Sequence, residues 1–453
     1  MLLTSVQLNA QTTLTLEDCR EMAVQNSKEL DQAEIDREIA GYDKQIVWAN
    51  CFPKISATGA YVYNNRDIAL ISDDLSQLLC NAGTLMPGQP DAAVICADLD
   101  KSLHPDLHNV WVGALTVEQP VFAGGKLIYA TQMASLAGNL ADAKYDMKYA
   151  DVLLDVDQAY WQIVSVAAKK KLAQSYSELL HQMQADVQYA IEAGVATESD
   201  ALQVQVKANE ADMLYTKASN GLALAKMLLC KRIGLPLDTE IVLADENLEV
   251  IPIPAGADDK SLDDIYADRP ETRSLTLAKE IYDRKAKMVR ADMLPTVALV
   301  GNYLVSNPNA FNGIQNTWQG GMLSAGVVVR VPICHGGEGL FKYRKAKAEA
   351  RQYADQYEDA TGLINLQVAQ QRKLCGEALE KLIMAENNLA SAEENLRKAN
   401  VGYEAGVIET HTVLGAQTAW LSAHSDYIDA GIELQMAAAS LQKAEGNYNA
   451  DIK

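Results

Sequence analysis

Six histidines, seven cysteines and sixty Asp and Glu residues are the groups with which this chain could bind a metal, attack a carbonyl or relay a proton. Their spacing argues against each use. His104 and His108 stand four apart, but Pro105 lies between them and no H-E-x-x-H occurs. Neither His181, His335, His411 nor His424 joins a cysteine at a spacing that nucleophilic sites use, and no G-x-S-x-G is present. Cys19, Cys51, Cys80, Cys96, Cys230, Cys334 and Cys375 include no C-x-x-C, which leaves zinc or thioredoxin-like chemistry without a framework. Gly124-Gly125-Lys126 lacks the first glycine and the following Ser or Thr of a phosphate loop, and Gly336-Gly337 reads as a turn. Acidic pairs such as Glu393-Glu394 fall in helical sequence, where a solvated face is their ordinary place. The sequence predicts no catalytic, cofactor or metal site, and so no enzyme.

The function has to lie in the elements themselves. The chain has 453 residues, 49% of them hydrophobic, and a net charge of −21. No basic run exists to hold phosphates, which excludes nucleic acid as a partner. No stretch reaches the ~18 apolar residues of a membrane-spanning helix, so any membrane crossing must be made by strands. Residues 1–10, Met1 to Ala10, read as the tail of a signal peptide cut before Gln11, with the cationic n-region missing.

The chain repeats itself. Cys51-Phe52-Pro53-Lys54-Ile55 to Tyr61 matches Met293-Leu294-Pro295-Thr296-Val297 to Tyr303 about the proline. Gln119-Pro120-Val121-Phe122-Ala123-Gly124-Gly125 matches Val331-Pro332-Ile333-Cys334-His335-Gly336-Gly337, and Ala193-Gly194-Val195 matches Ala405-Gly406-Val407. The last two matches share one offset, 212, while the prolines are offset by 242. The first half therefore carries 30 extra residues between Pro53 and Pro120. The predicted repeats run over about 15–233 and 260–447.

Each repeat reads as helix, strand, loop, strand, very long helix, tight turn, helix. The long helices, about 125–193 and 337–405, contain no internal proline, and at ~1.5 Å per residue each is roughly 100 Å long. Met133, Leu136, Leu140, Ala143, Met147, Ala150 and Leu154 step by three and four, as in a coiled coil. That periodicity alone fits a soluble structural coiled coil or helical bundle. The strands, predicted at 54–64, 110–120, 295–305 and 321–332 with loops at 65–109 and 306–320, point elsewhere. Ile55, Ala57, Gly59, Tyr61 and Tyr63 alternate with smaller or polar residues, as do Trp111, Leu115 and Val117, then Val297, Leu299 and Tyr303, then Leu323, Val327 and Val329. Period two, ~9–11 residues and aromatics near the far ends are the marks of a transmembrane barrel. Four strands cannot close alone, and open edges do not survive in lipid. Copies must share one barrel, and small inward residues such as Ser56, Thr58 and Gly326 favour three copies over two.

These residues resemble the TolC family of outer-membrane efflux proteins over nearly the whole chain. Thr15-Leu16-Glu17-Asp18-Cys19 resembles the family's opening helix, and Gln119 to Gly125 its turn from strand into long helix. Gly194-Val195-Ala196-Thr197-Glu198-Ser199-Asp200 is similar to the first hairpin tip. Tyr403-Glu404-Ala405-Gly406 with Val413-Leu414-Gly415-Ala416-Gln417 is similar to the second. The resemblance implies a mainly α chain with a transmembrane β-barrel: a homotrimer with twelve strands and a twelve-helix tunnel, placed in the outer membrane and periplasm of a Gram-negative bacterium. It implies a passive export duct, for efflux or type I secretion, and three kinds of partner: outer-membrane lipid, a periplasmic adaptor, and an inner-membrane transporter of the RND or ABC class. Residues 234–270, rich in Pro, Asp and Ala, would form a collar or a plain linker.

Site residues follow from that resemblance. Gly194, Val195, Ala196, Gly406 and Val407 would form the tips that dock the adaptor. Some family members place an arginine and aspartates where this chain has Ile408, Thr412 and Gly415, so an Arg–Asp latch is not carried over. Glu198, Asp200, Tyr403 and Glu409 are the expected gate: an acidic, cation-selective constriction held mainly by helix packing, with Asp200 and Tyr403 adding hydrogen bonds. Cys80 and Cys96, in the enlarged loop, are expected to pair as a disulfide in an oxidising space.

Overall fold

The computed structural model describes residues 13–66, 74–75, 77–78, 107–247, 252–254, 260–309, 318, 321–333 and 336–449. Residues 1–10, read above as the tail of a signal peptide, and both Cys80 and Cys96 lie outside them. Two compact units emerge: a helical unit of Met1–Ala40, Gly138–Lys279 and Tyr353–Lys453, and a strand-bearing unit of Gly41–Ala137 and Glu280–Gln352.

The elements in chain order begin with β1 (Thr13–Leu14), α1 (Leu16–Asn26), α2 (Lys28–Ala49), β2 (Lys54–Tyr63) and β3 (Asn109–Ala123). The first long hairpin is α3 (Lys126–Glu192) and α4 (Glu198–Ile233). Then come β4 (Val242–Leu243), α5 (Leu262–Asp268), α6 (Pro270–Ala291), β5 (Thr296–Asn307) and β6 (Met322–Arg330). The second hairpin, α7 (Glu338–Glu404) and α8 (Thr410–Ala444), is followed by a 3₁₀ turn at Asn447–Asn449. The two long helices have 67 residues each, and both their ends differ by the 212 offset seen in the sequence.

The repeats also open alike. Thr15 caps α1 in a capping box with Asp18, and Ser261 caps α5 by accepting the Asp264 amide. Cys19 and Ile265, each four residues past its cap, are both fully buried. The helical unit's main core joins Val156, Tyr160 and Ile163 of α3 to Leu229 and Ile233 of α4 and to Cys19 and Ala23 of α1. Beside them Asp157 is 1% exposed. Arg20 grips its carboxylate through Nε and Nη2 at 2.7 Å each, and the Tyr448 hydroxyl donates to it. The parallel pair β1–β4 adds Thr13 and Leu14 to Val242 and Leu243.

In the strand-bearing unit four antiparallel strands form one sheet, in the order β2-β3-β5-β6. Its register decides which residues share a face. Ile55 pairs with Val117, Ala57 with Leu115, and Tyr61 with Trp111. Val117 in turn pairs with Gly301 and Leu115 with Tyr303. Gly301 then pairs with Ala325, Tyr303 with Leu323, and Leu299 with Val327. Side chains alternate along a strand and directly paired residues point the same way. The apolar sets of all four strands therefore lie on one face, which carries no charge. The other face holds Ser56, Thr58, Thr116, Asn302 and Ser324 among small apolar residues, with Lys54, Glu118 and Arg330 toward the end that joins the helices. At the far end Tyr61 and Trp111 stack with ring centroids 4.5 Å apart, and the Tyr61 hydroxyl donates to Asn109 at 2.8 Å. The aromatic ends fit a membrane interface. Among the described residues no helix is long and apolar enough to cross a membrane. Nor does any strand cover the outer edges of β2 and β6.

Candidate functional site

Both tips are built by one device. After α3, Gly194 takes a left-handed φ of 78°; its N–H bonds to Ile191 O and that of Val195 to Ala190 O, each at 2.9 Å. After α7, Gly406 has φ 71°; its N–H bonds to Tyr403 O and that of Val407 to Gly402 O, again at 2.9 Å. This 6→1 and 5→2 pattern is the Schellman motif, which glycine enters without a Cβ clash. It turns the chain sharply and leaves the next residue outside: Val195 is 80% and Val407 81% exposed. Ala196 is half-buried against the tip core. One core unites the two hairpins there, with Leu180 and Val187 of α3, Val204 of α4, Leu396 of α7, and Val413 and Leu414 of α8.

The expected gate residues take separate roles. The Asp200 carboxylate accepts from the Thr197 N–H at 2.9 Å and its hydroxyl at 2.7 Å, closing a capping box on α4. Those bonds, the hydroxyl's first, hold its carboxyl below the usual range. Glu198 is exposed in the first turn of α4. Glu409, the N-cap of α8, makes no capping bond and lies 3.1 Å from His411 Nδ1. Tyr403 packs on the tip core, and no hydrogen bond joins it to Asp200 among the described residues. The nearby cations are engaged along their own helices. Arg397 and Lys398 bind Glu394, which they pull down to about 2, Arg397 chiefly. Lys207 binds Glu210 at 2.7 Å.

Sequence reasoning missed a groove beside the tips. A cavity of about 520 Å³ between α4 and α8 is lined by Ser199, Leu202, Gln203 and Val206 on one side. His411, Leu414, Gly415 and Thr418 line the other, with Lys207 at the rim. Each of the first four stands 212 residues before one of the second four, so corresponding positions of the two repeats face each other across it. The offset read from the glycines was the signal that could have found these residues. Gln417, next to this wall, is 1% exposed with its Nε2 3.6 Å from Met183 Sδ.

Residues 20–234 and 262–447 match the family described as outer membrane efflux protein. The chain belongs to that family. Among curated relatives, the alkaline protease secretion protein AprF of Pseudomonas aeruginosa is 22% identical over 346 residues, covering 75% of this chain and 71% of AprF. The protein CyaE of Bordetella pertussis is 26% identical over 355 residues, 74% of this chain and 70% of CyaE. Among solved structures, the outer-membrane channel OprN superposes with a TM-score of 0.76 at 16% identity, over 95% of this chain and 90% of that one. The efflux-protein fold, a helical tunnel with a β-barrel, is thus that of the present chain, and the soluble coiled-coil alternative falls. This efflux-family chain is an outer-membrane channel protein and not an enzyme.

Proposed function

We propose that three copies of this chain form one export duct. The carrying observation is the sheet: one uncharged face, apolar apart from Asn109, Gln119, Asn307 and the tyrosine hydroxyls, beside two uncovered edge strands. Lipid accepts the face but not the edges, so β2 of one copy pairs with β6 of the next. Three sheets give twelve strands, and the long helices supply a twelve-helix tunnel. A second feature supports assembly: Leu202, Val206, Met213 and Leu224 form a stripe along α4 and are each more than half exposed in the single chain.

In this reading the duct is the outer-membrane part of a tripartite exporter. Residues 234–270 form its collar. A periplasmic adaptor docks on Gly194, Val195, Ala196, Gly406 and Val407, and an RND or ABC transporter drives cargo from the inner membrane. AprF's name couples that relative to protease secretion, which favours a polypeptide cargo for this chain. Glu198, Asp200, Tyr403 and Glu409 surround the closed tip. Light scattering of the detergent-solubilised protein tests the architecture: a trimer is expected, and a monodisperse monomer refutes it. Single-channel recording tests the gate: cation preference should weaken when Glu198, Asp200 and Glu409 become Gln or Asn, and unchanged selectivity removes those residues from it.

A further inference from the structure

We infer that the inward face of the barrel carries one ring of charge, cationic in sum, where strands meet helices, and that this ring binds anionic groups of whatever passes through. The inference rests on the trimer reading above. Along the described strands every Lys, Arg, Asp and Glu falls on the inward face, and there are three: Lys54 at the first position of β2, Glu118 toward the end of β3, and Arg330 at the last position of β6. All three are exposed, and among the described residues the side chains of Lys54 and Arg330 have no ion pair or hydrogen bond.

Closure of the barrel brings the two cations together. Strand β2 runs away from the helices and β6 runs back to them, so pairing the two edges is antiparallel and sets Lys54 of one copy near Arg330 of the next. Both point inward. Like charges on neighbouring strands are unfavourable unless something anionic lies between them. Glu118, directly opposite Lys54 in its own sheet, offsets one cation of each pair and leaves Arg330 uncompensated. Twelve strands about 4.8 Å apart and tilted about 40° enclose a backbone radius of about 12 Å. A side chain that extends about 4 Å inward therefore places its charge within a Debye length, ~8 Å, of the axis. An anion on the axis feels all three junctions at once.

A second observation points the same way. The chain as a whole is strongly acidic, yet residues 280–352 of the strand-bearing unit hold ten Lys and Arg against five Asp and Glu. Arg284, Lys287 and Arg290 on α6 and Arg344, Lys347 and Arg351 on α7 belong to that excess. The acids concentrate in the helical unit instead. The ring takes carboxylate- or phosphate-bearing segments. Rings of basic side chains select anions in pores in this way.

The experiment is planar-bilayer recording of the full-length protein with inorganic tripolyphosphate as the probe, added to each side in turn. Wild-type current should be blocked from one side, more strongly as salt is lowered. Lys54→Gln with Arg330→Gln should weaken that block at least about tenfold with single-channel conductance at high salt retained, each single variant should fall between, and Glu118→Gln should tighten it. A conducting channel that tripolyphosphate does not block, or blocks equally in the wild type and the double variant, overturns this inference and leaves the trimer standing. A wild-type chain that forms no channel overturns both.

Discussion

Replacing Arg20 with Met isolates the cost of burying Asp157. The carboxylate is 1% exposed and takes two 2.7 Å bonds from the Arg20 guanidinium, which also lies 5.5 Å from the Tyr448 ring centroid. Burial pushes the Asp157 carboxyl up, and Arg20 pulls against it. Without Arg20 a buried charge loses its main partner, which costs about 3–5 kcal/mol. If the helical unit of about 280 residues unfolds as one, that is a drop of roughly 5–8 °C in midpoint. The pH dependence has a definite sign. A carboxyl whose folded value is raised carries no penalty at acid pH, where both states are protonated, and the penalty grows as pH climbs from the unfolded value of ~3.9 toward the folded one. Arg20→Met should therefore be closest to wild type near pH 4 and worst at neutral pH. The triple variant Arg20→Met/Asp157→Leu/Tyr448→Phe removes all three polar groups and should recover most of the loss. Thermal unfolding in detergent followed by circular dichroism between pH 4 and 8 is the assay. A loss under about 1 kcal/mol, or a triple variant no better than Arg20→Met, refutes the reasoning.

Two further outcomes follow from local geometry. Gly194→Ala and Gly406→Ala each place a Cβ on a left-handed turn residue; each should cost about 1–2 kcal/mol at its own tip and speed limited proteolysis there. Cys80 and Cys96 should be recovered as one disulfide-linked peptide in a non-reducing digest, whereas Cys19 and Cys230, fully buried and free, should resist alkylation until the protein unfolds. Burial pushes the Cys19 thiol up to about 12, which removes the thiolate that alkylation needs.

The fold class was legible because both its signals are periodic. Apolar residues at steps of three and four marked the long helices, alternate apolar residues marked the strands, and the 212 offset tied one repeat to the other. What lacked a local signal stayed hidden. Asp157 meets Arg20 across 137 residues, and its place among other acids on a long helix looks like a solvated face. The groove between α4 and α8 depends on two helices 212 residues apart packing side by side. The ring of Lys54, Glu118 and Arg330 needed the strand register, because three charges on three strands show no pattern until the pairing is known. The tip glycines could be read from sequence because a left-handed turn demands that residue type. The partner of Asp200 could have been read too, since Thr197-x-x-Asp200 is a capping-box spacing.

That capping box also separates the two hairpins. Offset by 212, Thr197 and Asp200 become Glu409 and Thr412: carboxylate and hydroxyl exchange places, and α8 starts without a side-chain cap. A missing cap is worth about 1 kcal/mol, close to a fivefold change in local opening. The first turn of α8 should fray before that of α4, so the second hairpin is the softer one. Amide exchange expressed as protection factors measures this, with Thr412 and Val413 expected to exchange faster than Asp200 and Ala201 at neutral pH. Glu409→Thr with Thr412→Asp transplants the box and should close most of the gap. Acid should also close it, from the other side. The Asp200 carboxyl sits below its usual value, so the stability it contributes is complete above the unfolded value of ~3.9 and is lost as pH falls through the lower folded one. Equal protection of the two helix starts at neutral pH, or a transplant that leaves α8 unchanged, would show that tip packing rather than capping governs which hairpin opens first.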